Sequence, residues 1–133
     1  MKKLLGIVVL GLLWANISFS KDLSGTKLLC DFWTKGTAIG IEFKNSKEGI
    51  YYEIVKEKKW SIDKDKITYE VTPDYIFMDG ERYSYKPSLT RKTLKLNNSF
   101  QCEILDIKDT NMNNFMEFVL EELKVKNESE NKL

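Results

Sequence analysis

Two cysteines, Cys30 and Cys102, and no histidine set the limits on what chemistry this 133-residue chain can perform. Without imidazole there is no Ser-His-Asp triad, no Cys-His pair and no zinc site built on histidine. If the two cysteines pair with each other, thiolate nucleophiles and thiolate ligands are removed as well. What remains is a Ser-Lys dyad or a carboxylate pair, and no spacing singles out either. Glu42, Glu53, Glu70 and Glu103 each alternate with apolar neighbours, which reads as outward-facing residues on half-buried strands. Asp63-Lys64-Asp65 has the opening acids of a calcium loop but lacks its glycine and closing glutamate, so a turn is expected there. The sequence therefore points to a non-catalytic protein with no metal and no cofactor.

Recognition is better represented than catalysis. Asp79-Gly80 stands between two apolar runs, the pattern of a two-residue type I′ hairpin whose central residues both need positive φ. Arg82, one of only two arginines in the chain, follows it, and Tyr83 follows Arg82. Arginine and tyrosine are enriched at protein-binding hot spots, so Asp79, Gly80, Arg82 and Tyr83 form a candidate binding tip. Tyr75 with Phe77, and Tyr83 with Tyr85, share strand faces. Such aromatics either fill the interior of a small barrel or line a cavity for one small apolar ligand, as in lipocalins. Asn97-Asn98-Ser99 and Asn127-Glu128-Ser129 match the glycosylation sequon, a pattern frequent by chance.

The elements that must position these residues are short strands. Leu28, Cys30 and Phe32 alternate onto one face of a first strand, and Phe100, Cys102 and Ile104 onto one face of the last. Between them, alternating runs near residues 37–44, 50–57, 59–62, 66–71, 75–78, 81–85 and 90–96 are separated by turn residues. The connections are too short for parallel crossovers, so the chain reads as an antiparallel meander. The fold class is all-β: a small up-and-down barrel of about eight strands, with a sandwich as the alternative. The cysteines favour the barrel, because closure sets the first and last strands side by side. A Cys30–Cys102 disulfide would then seal the seam.

The period changes after the last strand. Met112, Phe115, Met116, Val119, Leu120 and Leu123 recur at three- and four-residue spacing, an amphipathic helix over residues 109–126 capped by Asp109 or Thr110. It packs on the outside of the barrel or plugs one end. Residues 127–133 are charged and poor in apolar side chains, and a disordered tail is expected.

Residues 1–20 read as a secretory signal peptide: Lys2 and Lys3, an apolar run from Leu4 to Trp14, then Ser18-Phe19-Ser20 before a cleavage point at Lys21. The apolar run is too short to span a bilayer, so no membrane insertion of the mature chain is expected. Export, periplasmic or secreted, is also the condition under which two cysteines usually pair. Losing Lys2 and Lys3 turns the formal charge of +1 into −1, and no basic face marks a nucleic-acid binder. The expected mature protein is a 21–108 barrel with its helix, a monomer whose partner is an unknown protein or a small apolar ligand.

A signal peptide, a chain of this size, one disulfide and a short-stranded barrel resemble the periplasmic inhibitors of C-type lysozyme. Cys30 with Gly36 is similar to the cysteine and first turn of those proteins, and Gly80-Glu81-Arg82-Tyr83 to the end of their inhibitory loop. Met78-Asp79 stands where that loop carries serines, and the C-terminal helix is an addition. The resemblance implies an inhibitory tip that enters the cleft of a lysozyme.

Overall fold

Strict alternation in a chain with few long connections leaves antiparallel pairing as the way to satisfy backbone hydrogen bonds. The computed structural model describes residues 22–31, 37–81, 86–107 and 110–130. The expected signal peptide, Phe32, Gly36, Arg82, Tyr83, Tyr85 and Asp109 lie outside the described residues. The elements are β1 (Lys27–Cys30), β2 (Ile39–Phe43), β3 (Glu48–Lys56), β4 (Trp60–Val71), β5 (Tyr75–Gly80), β6 (Ser88–Thr90), β7 (Lys95–Leu96), β8 (Phe100–Ile104) and the helix α1 (Met112–Glu130). Each strand pairs antiparallel with the next, and β8 returns to β1 to close an eight-stranded barrel. Cys30 stands directly opposite Cys102 in the β1–β8 register, and the two are bonded, with Cα atoms 3.9 Å apart. The disulfide points to an oxidising compartment. Among the described residues no helix is long and apolar enough to cross a membrane.

Alternation divides the apolar residues into two layers. Leu28, Ile41, Phe43, Met78, Leu89 and Leu96 point inward and are almost fully buried, together with both cysteines. Leu23 packs on that interior, and its N–H donates to the Tyr69 hydroxyl, which itself donates to the Asn45 carbonyl. The opposite faces of β2 and β3 carry Gly40, Tyr52 and Ile54, which lie beneath α1. Met112, Met116, Val119 and Leu123 form the helix face that covers them. A Cβ added at Gly40 would stand 2.5 Å from the Met116 sulfur and 2.6 Å from the Met112 methyl, so this glycine is what lets the helix sit close to the sheet. Of the two arrangements open to the helix, packing on the outside is the one adopted.

Four local expectations are overturned. Asp63-Lys64-Asp65 is not a turn but the middle of β4, because the β3 ladder runs unbroken from Glu48↔Thr68 to Lys56↔Trp60. Asp79 and Gly80 are strand residues as well, paired with Thr68 and Ile67, and the Glu81 N–H donates to the Lys66 carbonyl. Among the described residues, the turn with two consecutive positive φ values is Asn97-Asn98, at 52° and 57°, closed by the Ser99 N–H on the Leu96 carbonyl. Ladder bonds outrank the local preference of Asp-Gly, and asparagine tolerates the left-handed region nearly as glycine does. The helix is capped at Asn111 rather than Thr110: Asn111 Oδ1 accepts the Asn114 N–H at 2.8 Å. Finally α1 continues through Glu130, four residues into the expected tail. A docked helix gains one bond per added residue, and Lys56 donates to Asn127 Oδ1 across 2.9 Å, holding that turn to β3.

Candidate binding face

Of the residues singled out by sequence, the structure brings Cys30 and Cys102 together as a buried structural bond. Asp79 and Gly80 are the last two residues of β5, and Arg82 and Tyr83, the other members of the candidate tip, lie outside the described residues. Asp79 faces outward and pairs with Lys86 across 3.8 Å, both side chains well exposed. Such a pair contributes at most about 1 kcal/mol.

The helix α1 packs on β2, β3 and the first part of β4, where Trp60 and Ile62 lie against it, and leaves bare the outer wall formed by the second half of β4 with β5 and β6. Ile76 and Met78 point into the core, so Tyr75 and Phe77 must point out; they are 40% and 46% exposed. Their rings stack at 5.5 Å between centroids with an interplanar angle of 31°. In the ladders Phe77 stands opposite Glu70 on one side and Ser88 on the other. Thr68 stands opposite Asp79. A groove of about 470 Å³ opens here, lined by Thr68, Glu70, Phe77, Asp79 and Lys86 with parts of Tyr69 and Met78. Its size falls within the usual range for ligand clefts. The pair Tyr75/Phe77, offered by sequence as a lining for the interior, is therefore on the outer wall, with Phe77 lining the groove and Tyr75 stacked beside it.

A second polar group sits at the barrel rim where β3 meets β4. Glu53 stands opposite Asp63 in the β3–β4 ladder, and Tyr51 opposite Asp65. Tyr51 and Asp65 are buried, Asp65 at 7% exposure. Glu53 shares the inward face of Tyr51, contrary to its expected outward placement, and Glu42 also departs from expectation. Glu42 stays on the outer side but is only 8% exposed, with Lys44 at 3.2 Å and Lys27 at 3.9 Å. Beside Glu42, the Tyr52 hydroxyl is pushed up to about 12 by burial first and the neighbouring carboxylate second. Glu70 and Glu103 are exposed as expected.

Glu53 gives a pH prediction with a definite sign. Burial, and then the charge of Asp63, raise its carboxyl above the ordinary value. The folded state thus holds that proton more tightly than the unfolded state does. This contribution is fully present below the ordinary carboxylate range and is lost as pH rises through the raised value. Glu53→Gln is expected to melt higher than the parent at pH 7, with the difference shrinking as pH is lowered toward 4. Thermal denaturation of both proteins from pH 4 to pH 8 checks this. A variant melting below the parent at pH 7 would show the carboxylate to be favourably held.

The arrangement can bind but has no means of covalent catalysis through thiol or imidazole: the sequence holds no histidine and both cysteines are consumed. Among the described residues no cluster of three metal-ligating side chains occurs. No family model, curated protein or solved structure matches this chain.

Proposed function

We propose that this is an exported, non-catalytic binding module of the periplasm or extracellular space, and that it engages its partner through the bare outer wall of β4–β6. The observation that carries this is the stacked Tyr75/Phe77 pair, exposed above a groove on one side of a barrel whose other side is covered by a helix. Exposed aromatic clusters with a polar rim mark interaction sites. Disulfide closure supports the exported reading. Side chains fill the described interior, which favours an external site over a ligand held within the barrel.

The test is retention of components of an envelope extract by the immobilised protein, with Phe77→Ser beside the parent. Phe77 supports no core contact, so the variant is expected to keep its melting temperature and to lose the retained component by at least roughly tenfold, the effect of truncating a hot-spot aromatic. Retention unchanged in Phe77→Ser overturns the face. A C-type lysozyme is included as one added component, which tests the inhibitor resemblance carried by Gly80-Glu81-Arg82-Tyr83 on its own.

A further inference from the structure

Resting on that outer-wall reading, the chemistry of the groove narrows the class of partner. Phe77 is ringed by groups that accept hydrogen bonds: Glu70 across the β4 ladder, Ser88 across the β6 ladder, and Asp79 two residues along β5. Directly opposed side chains on one sheet face have Cβ atoms about 5 Å apart, so the Glu70 carboxylate and the Phe77 ring border one space. Within the groove the charges are Glu70, Asp79 and Lys86. Asp79 has Lys86 beside it, whereas Glu70 makes no ion pair among the described residues. Among the described residues the groove thus keeps one carboxylate with no ion-pair partner, next to an exposed aromatic pair. An apolar partner would desolvate that carboxylate without replacing its hydration, and an anion would be repelled by it. A cation satisfies both features at once, since aromatic faces attract cations and the carboxylate supplies the counter-charge.

We infer that the groove receives a cationic side chain, an arginine or lysine presented by a basic segment of a protein partner, seated between the Glu70 carboxylate and the Phe77/Tyr75 rings. Lys86 holds the Asp79 carboxylate, and removing it frees that second carboxylate for the incoming cation.

The experiment titrates the disulfide-bonded protein with an acetylated Gly-Arg-Gly-Arg-Gly amide and with the same peptide carrying citrulline, which keeps the shape of arginine and removes its charge. Aromatic proton resonances of Tyr75 and Phe77 report occupancy. The arginine peptide is expected to shift both rings and to bind at least roughly fivefold more tightly than the citrulline peptide. Glu70→Gln and Phe77→Leu should each weaken it about as much, and Lys86→Ala should strengthen it. All three side chains lie on the surface, and an unchanged melting temperature confirms that each variant folds. Equal binding of the two peptides, ring resonances that do not move, or affinity indifferent to all three variants overturns the inference. If Phe77→Ser still abolishes retention of an envelope component while the arginine peptide fails, the face stands and the cationic class falls; failure of both removes the face itself.

Discussion

Reducing the Cys30–Cys102 bond, or replacing both residues in a Cys30→Ser/Cys102→Ser variant, is expected to lower the stability of the protein by roughly 4 kcal/mol. The bond spans 72 residues of sequence, and closing so long a loop removes a large share of the conformational freedom of the unfolded chain. The ladder it reinforces is short: β1 and β8 share three residue pairs, Leu28↔Ile104, Leu29↔Glu103 and Cys30↔Cys102. One flank of that seam is weak as well, because β7 contributes only Lys95 and Leu96 to its pairing with β8. Both cysteines are buried, so reduction is expected to require partial unfolding and to proceed slowly in the native state. Urea denaturation with and without reductant measures the loss, which corresponds to a fall in melting temperature of roughly 15 °C or more for a domain of this size. A reduced protein melting within a few degrees of the oxidised one would show that the barrel closes without help from the bond.

Met116→Ala carries the second large effect, a destabilisation of about 3 kcal/mol. Met116 is fully buried and fills the space above Gly40, where any other residue would leave no room for it. Truncation removes its transfer free energy and leaves a cavity that the rigid β2 backbone below cannot close. Two side effects separate undocking of α1 from collapse of the barrel. Hydrogen exchange should quicken along α1 more than in β3 and β4, because the helix is the unit that loses its contacts. Tyr52 and Ile54, roofed by the same helix, should become accessible to solvent probes. Uniform acceleration throughout the protein would instead make helix and barrel a single cooperative unit.

The residues of the groove were legible in sequence only in part. Tyr75, Ile76, Phe77 and Met78 are all apolar or aromatic, so alternation assigns two pairs to two faces without saying which face is inside. The β4 pairing decides it: Ile76 stands opposite Val71 and Met78 opposite Tyr69, both core residues, and the aromatic pair is turned outward. The same holds for β3, where Tyr51 enters the barrel while Tyr52 and Ile54 go under the helix. Two buried faces erase the polar–apolar contrast from which direction is read. Glu42 shows the converse failure. Its alternation correctly marks the outer face, but its burial depends on Lys27 and Tyr52 arriving from the neighbouring strands, with Lys44 just past the end of β2.

The antiparallel meander, the cysteine pairing and the helix stripe were legible in sequence alone, since each depends on period and register that residue types impose directly, and the cysteines favoured the barrel over the sandwich that the structure excludes. Cys30 and Cys102 sit on matching faces of the first and last strands, and an even-stranded meander leaves those two strands adjacent. Turns, caps and strand ends were decided by tertiary structure. Asp-Gly became strand and Asn97-Asn98 became turn because the strand with a partner alongside keeps its ladder, and the chain reverses where that partner ends. A turn preference is worth a fraction of a kcal/mol, whereas a ladder bond left unmade in the interior costs about 1 to 3 kcal/mol. Where the two conflict, the long-range pairing wins.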